Sequence, residues 1–362
     1  AGPPEARYKA INPGGRYYRN GKLDTNMTDE QFKELLIALD LGGVSPEERR
    51  KKVEVRQTVH ASVSPDGIHW TNLDEPILDV GNTMLDTHNL CTYDPHQQKY
   101  VAYLRGHVNG RRRVVRRAEG RDFAQLEEPR FCLIPDPQDP ADDDIYNPCY
   151  SPYPNQPLYL MFPSFYHRIA STLDIQLAVS RDSYNWQRPE RRPIIDRSYD
   201  GGEYGALYAY PNLVNLDNGE WRLAYTGHHR KHDFLDRGRN YPVDSEHRWA
   251  SWKKDRLVGL EAPDEGFVVL MTNPCAGAQL HLNYRTAPDG WIKVELVKLP
   301  ETPPKPVDAF EGFGLEEAET LSGDELSRVV SWNGKSDLAD LKGKDVYLRL
   351  HMYKAKVFSF SI

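Results

Sequence analysis

Apolar and polar positions alternate with period two through much of the chain, in short runs broken by polar turns, and this pattern predicts strands. Residues 90–103, 148–161 and 211–224 repeat one layout: a short apolar run, a polar turn, then an aromatic-rich run, which reads as a β-hairpin. A second signature accompanies it. Ser64, Asp66 and Trp70 recur as Ser180, Asp182 and Trp186, with a degraded copy around Asp122. The nearly constant interval between Asp66, Asp122 and Asp182 implies a radial or solenoidal array of strand-filled units. Their recurrence at the outer turn of each unit gives these aspartates a structural role. One run carries a helical period, residues 28–39, with Thr28 as its cap, Glu30 and Gln31 close behind, and Gly42 and Gly43 beyond its end. It reads as an insertion in the first unit, and the polar residues 231–247 read as a long surface loop.

Laid out in order, the units occupy residues 8–70, 90–126, 148–186 and 210–260. Residues 6–11 match the second strand of the hairpin with no first strand before them, so the array is expected to be incomplete at its start. A further unit would be closed by the chain ends or by residues outside this sequence. After Glu261 the repeat stops and short strands follow at 266–271, 279–283, 292–296 and 345–351, which predicts a β-sandwich. The proline-rich stretch between Leu299 and Val307 is a loop within it. The chain is therefore expected to be all-β, with one domain over 1–260 and another over 261–362.

Composition adjusts this picture in a few places. With 362 residues and 39% hydrophobic content the chain can bury a sizeable core, and its 21 tyrosines suit strands or ring-stacking surfaces. A net charge of −7 argues against nucleic acid as a partner. The arginines at 111, 112, 113, 116 and 117 could form a basic patch, but the strand alternation favours a solvated strand face. No apolar run approaches the ~20 residues that span a bilayer, so no membrane partner is expected. Cys91, Cys132, Cys149 and Cys275 lack the spacing of zinc or redox sites and read as buried thiols or a single disulfide.

The Asp66–Gly67 turn closed by Trp70, the hairpin strand at 99–103 and the terminal stretch 331–350 together resemble five-bladed β-propeller proteins related to glycoside hydrolase families 32 and 43. The likeness is to a bacterial branch built as a propeller followed by a C-terminal β-sandwich, and it covers nearly the whole chain. The resemblance implies a five-bladed β-propeller, a carbohydrate substrate, and an active site at the propeller axis with three carboxylates from successive blades. It also implies polysaccharide degradation by a secreted or periplasmic protein. The Asn-Asp-Pro-Asn-Gly, Arg-Asp-Pro and Glu-Cys signatures of family 32 are missing, so no particular substrate carries over.

The residues point to the same face without the family. Positions just before the first strand and just after the second strand of each hairpin share one face of a propeller. Before the first strands stand Asp86, His88 and Asn89; Asp142, Asp143, Asp144 and Tyr146; and Glu203 and Tyr204. After the second strands come Arg105 and His107; Tyr166, His167 and Arg168; and His228, His229 and His232. Hydrolysing a glycoside requires one protonated and one ionised carboxyl group, and neighbouring carboxylates raise one pKa. The catalytic candidates are Asp86 as base or nucleophile, Asp144 as the tuning carboxylate and Glu203 as acid, with Asp142 and Asp143 near-equivalent to Asp144. The substrate-binding candidates are His88, Asn89, Arg105, His107, Tyr146, Tyr166, His167, Tyr204, His228 and His229. The duller alternative makes the acids turn caps. Two functional alternatives stand beside hydrolysis: a non-catalytic carbohydrate-binding propeller, and a polysaccharide lyase with a His or Tyr base and Arg105 and Arg168 on uronic acids. No metal is assigned. His228, His229 and His232 with His88 suit a transition metal less well than hydroxyl hydrogen bonds, and an axial calcium has no loop pattern behind it.

Overall fold

A computed structural model of the protein describes residues 3–81, 83–108, 112–154, 156–233, 244–272, 274–298 and 307–362. Arg111 of the arginine run, most of the polar loop at 231–247 and the proline-rich stretch 299–306 lie outside the described residues. The architecture is all-β and divides into two compact units: residues 1–213 with 223–250, and residues 214–222 with 251–362. The boundary falls at 250/251, ten residues before the change of sequence pattern, because the hairpin at 214–222 and the strand end past Ala250 group with the second unit.

The first unit is a succession of mainly antiparallel strand modules, the third and fourth of which share one seven-stranded sheet through a parallel contact between Leu173 and Ala206. Tyr8–Arg19 pairs with Val53–Ser64 along its whole length, flanked by Lys22–Leu23 on one side and by Thr71–Asn72 and Leu78–Gly81 on the other. Two helices interrupt this sheet. Asp29–Leu41 opens with a full capping box between Thr28 and Gln31, as its sequence predicts. Pro46–Lys52 was not visible in the pattern because its seven residues bury no side chain. It is held by its ends, with Ser45 capping Glu48, proline in its first turn, acids at its start and bases at its close. The next sheet runs in sequence order, Leu90–Asp94, Lys99–Val108, Arg112–Gly120 and Arg130–Leu133. The third module is kinked. Asp143–Asn147, Ser164–His167 and Thr172–Ile175 form one half, and Tyr150–Pro152, Tyr159–Met161 and Ala178–Ser180 the other. In the fourth, Ala206–Ala209 pairs with the end of Glu220–His228, beside Ser245–Lys253.

Apolar clusters join successive sheets. Val59, Leu78, Leu104 and Phe123 pack between the first and second, and Tyr103, Val115, Phe165 and Met161 between the second and third. Tyr166, Leu173 and Ala206 continue the series. The recurring aspartates are turn formers. Asp182 Oδ1 accepts the amides of Tyr184 and Asn185 at 2.8 and 2.7 Å, Ser180 Oγ accepts that of Ser183, and Trp186 Nε1 donates to Ser183 O. Ser64, Asp66 and Trp70 repeat these bonds one for one, and Asp122 keeps only the amide of Ala124. The four cysteines are free thiols. The described arginines of the run form neither a basic patch nor a solvated face. Arg117 is 2% exposed and bonds Glu119 and Ser183, Arg116 donates to Arg105 O, and Arg112 to Asp143 O.

In the second unit, Leu260–Met271, Tyr347–Ser361 and His281–Lys298 lie side by side, and His281–Lys298 also pairs with Asp308–Ala309 and Asp324–Val329. These strands make one five-stranded antiparallel sheet where two facing sheets were expected. Its strands are long and broken by bulges, near Ala262 and between Thr286 and Trp291, so one strand supplies what the pattern suggested were two. Leu282, Val294, Leu348, Leu350 and Trp332 form its core, with Trp332 Nε1 donating to Val294 O.

Candidate functional site

The strands of the first unit place the candidate acids in three different settings. Asp86 precedes the strand Leu90–Asp94, as the hairpin pattern predicts. Asp143, Asp144 and Tyr146 do not precede a strand. They lie within Asp143–Asn147, because the strand begins five residues before Pro148. Glu203 stands three residues before Ala206–Ala209, a strand that the sequence pattern had started later, at Tyr210. The three are therefore not in one register.

Asp86 lies at a cleft of about 590 Å³, lined also by His88, Tyr146, Asn147, Tyr208, Tyr210, His228 and His247. Its carboxylate is about half exposed and is ion-paired to Arg105, whose side chain is 2% exposed. Arg105 is fixed from several directions. It stacks over the Tyr146 ring at 4.5 Å, donates to Tyr146 O at 3.2 Å, and its amide is accepted by Asn89 Oδ1. Asn89 also donates to the carbonyls of Leu85 and Thr87, so its side chain holds the loop and not a ligand. His88 stacks on Tyr210, and burial lowers its pKa. Burial and then His247 lower that of His228, leaving both imidazoles neutral at physiological pH, able to donate and to accept. His107 stands beside the cleft's arginines, its pKa lowered by burial and by Arg105 and Arg113.

Successive residues of a strand face opposite ways, and Asp143 and Asp144 show the consequence. Asp144 is fully buried, its Oδ2 accepting from Arg113 Nη1 at 2.8 Å and Arg168 Nε at 2.9 Å, while its Oδ1 is buried without a hydrogen bond. Arg113 in turn lies over the rings of Tyr146 and Tyr166. Asp143 faces His167, which bridges it to Asp174 at 2.6 and 2.9 Å. The bonds to Asp143 and then Asp174 raise the His167 pKa to about 10, so His167 is a charged strut between two carboxylates. Tyr166 is buried and donates to Asp233.

Glu203 is exposed and lines a different cleft of about 500 Å³, with Asp174, Asp196, Arg197, Tyr204, His229 and Lys231. The glycine-rich loop exists to seat Tyr204. A Cβ on Gly202 or Gly227 would come within 2.1 or 2.6 Å of its ring, which is buried and donates to Glu246. His229 Nδ1 bonds Glu203 O at 3.0 Å. A smaller cavity of about 300 Å³ shares Tyr208 and His228 with the Asp86 cleft and Lys231 with the Glu203 cleft. The small cavity thus borders both clefts, which share no lining residue with each other.

Tyr208, Tyr210, His247 and His232 line these hollows but were not among the binding candidates. The alternation of Tyr208 and Tyr210 on one strand face was the available signal. His232, placed on the same face by the sequence, bonds Tyr208 Oη through Nδ1 at 2.7 Å and packs edge-on to Tyr146 and Tyr166. Among the described residues no group of three His, Cys, Asp or Glu side chains is placed to hold a metal ion. Among them, too, no helix is long and apolar enough to cross a membrane.

No family model matches the chain, and no curated protein matches it. Solved structures give partial likenesses. An N-acetylgalactosamine deacetylase from F. plautii in complex with blood group B trisaccharide is 12% identical, with 56% of this chain and 66% of that one covered at a TM-score of 0.39. A thermostable family-43 glycoside hydrolase is 17% identical, with 49% and 61% covered at 0.36. A GH130 structure, described with a family of mannoside phosphorylases that contains hydrolases of β-1,2 mannosidic linkages in Candida mannan, is 14% identical, with 49% and 56% covered at 0.35. The chain spans less than two thirds of each. At these scores the likenesses carry no functional assignment, which rests on the chemistry of the clefts.

Proposed function

We propose that the chain is a glycoside hydrolase whose first-unit sheets are blades of a five-bladed propeller, followed by the five-stranded β domain of the second unit, and that saccharide binds along the clefts of the first unit. The observation that carries this reading is the Asp86 carboxylate, fixed by the buried Arg105 at a cleft walled by Tyr146, Tyr208, Tyr210 and neutral His88 and His228. Aromatic faces suit sugar rings, and neutral imidazoles both donate to and accept from hydroxyls. In this reading Asp86 is the base or nucleophile and Glu203, which lines the cleft on the far side of the small cavity, the acid. Asp144 touches no substrate. It anchors Arg113, and through Arg113 the tyrosine rings behind the cleft.

The Tyr208–His232 pair favours a second reading, elimination from an acidic sugar with the neutral imidazole as base. A panel of plant and algal oligosaccharides read by mass separates the two. Products carrying an added water support hydrolysis, unsaturated products support elimination, and binding without turnover identifies a non-catalytic propeller.

A further inference from the structure

The wall of the Asp86 cleft decides which nitrogen of one of its imidazoles carries the proton. Asn147 and His88 both line this cleft. Asn147 is 1% exposed, and its Oδ1 accepts the amide of Ser164 at 2.9 Å. A backbone N–H can only donate, so the oxygen of the Asn147 side chain is committed to Ser164 and its NH2 group is what faces His88 Nδ1, at 3.4 Å. That group offers only hydrogens. His88 Nδ1 therefore accepts, and in the neutral ring the proton sits on Nε2. Stacking on Tyr210 holds the ring plane, and a proton added at Nδ1 would meet the Asn147 hydrogens, which opposes protonation in the same direction as burial does. Nε2, on the opposite edge of the ring, has no partner among the described residues.

We infer that Asn147 is a positioning residue that keeps His88 as an Nε2–H donor, so that the cleft offers a sugar hydroxyl or ring oxygen one directed hydrogen bond beside the Asp86 carboxylate. The inference rests on the carbohydrate reading above and adds a polarity to it. The Asp86 carboxylate, ion-paired to Arg105, only accepts, and His88, two residues on at the same cleft, only donates toward the sugar. A histidine free to exchange tautomers would suit either polarity and discriminate less. Because the bond from Asn147 is made before any sugar enters, the donor is ordered in advance and costs nothing further to orient.

NMR of the ring nitrogens of His88, in the full chain labelled at histidine and assigned against His88→Gln, reads the tautomer with no sugar present. Wild type is expected to show Nδ1 unprotonated and Nε2 protonated. Asn147→Asp keeps an acceptor for Ser164 but turns a second acceptor toward His88, and is expected to put a proton on Nδ1. Titration calorimetry with a neutral pentose trisaccharide and a neutral hexose trisaccharide supplies the binding side, with thermal melting to confirm that each variant folds. For whichever trisaccharide binds, His88→Leu is expected to lose roughly 3- to 10-fold in affinity, the scale of one hydrogen bond, and His88→Gln, whose amide NH2 reaches toward the place of Nε2, to recover most of it. A protonated Nδ1 in wild type, or an Nδ1 left unprotonated in folded Asn147→Asp, would overturn the inference and leave the carbohydrate reading standing. His88→Leu binding as tightly as wild type would do the same. If Asn147→Asp does not fold, the wild-type spectrum and the two His88 variants decide. Binding of neither trisaccharide would overturn the carbohydrate reading and the inference with it.

Discussion

Asp144 offers the sharpest separation of anchor from catalyst. Asp144→Asn keeps the size and one acceptor oxygen of the side chain but removes the charge that Arg113 and Arg168 share at 2.8 and 2.9 Å. Breaking a buried ion pair by deleting one partner costs about 3–5 kcal/mol, because the remaining charge is left uncompensated. Here the arginine side chains are 26% and 38% exposed and can recover part of their hydration, which reduces the expected loss to about 2–4 kcal/mol. For a unit of this size that corresponds to a fall in Tm of roughly 5–12 °C. Differential scanning calorimetry of the full chain measures it directly. A carboxylate kept for catalysis gives the opposite sign, since relieving an active-site charge commonly leaves stability unchanged or raises it. A folded Asp144→Asn protein melting within about 1 °C of wild type would refute the anchoring role and return Asp144 to the catalytic set.

Two further outcomes follow from the same geometry. His167, held charged by Asp143 and Asp174, has a folded pKa raised from 6.5 to about 10. Its contribution to stability is therefore complete below about pH 6.5 and is lost as pH rises through about 10. Urea unfolding should show His167→Gln costing on the order of a few kcal/mol at pH 6 and progressively less toward pH 10, and a cost that does not vary with pH would contradict the charged strut. At Asp182 burial opposes ionisation, yet the Asn185 and Tyr184 bonds and that from Ser180 hold the pKa down to about 2. Asp182→Ala should cost about 1–2 kcal/mol with no effect on carbohydrate binding, because only turn amides lose their acceptor, and a change in affinity with unchanged melting would reverse that assignment.

The sequence carried the repeating strands and turns clearly, since alternation and the Ser-x-Asp turn are local properties. The turns at Ser64 and Ser180 form the same bonds because the same side chains meet the same amides. What it carried poorly was register. Pro148 and Pro211 were natural places to begin a strand, but each follows the inner strand instead. The pairings Asp144 with Tyr166 and Ala206 with His228 are set by distant partners. That shift moved Asp144 from a loop mouth to a buried strand face, where parity along the strand separates it from Asp143. The arginine run shows the same limit. Composition sees five like charges, and only tertiary pairing reveals Glu119 and Asp144 as the acids that neutralise Arg117 and Arg113. The contact of Tyr208 with His232 escaped notice because it joins a strand to a loop 24 residues away.

The central claim, that Asp86 acts on sugar at the tyrosine-walled cleft, is tested most directly by comparing wild type with Asp86→Asn on whichever oligosaccharide the wild type cleaves. Arg105 is held by the ring and carbonyl of Tyr146 and, through its own amide, by Asn89 Oδ1 as well as by Asp86, so the variant should fold and still bind substrate. Its turnover should fall at least ~100-fold, the scale of losing a positioned acid–base or nucleophilic group, with little change in substrate affinity. Near-normal turnover in a folded Asp86→Asn protein would contradict the account.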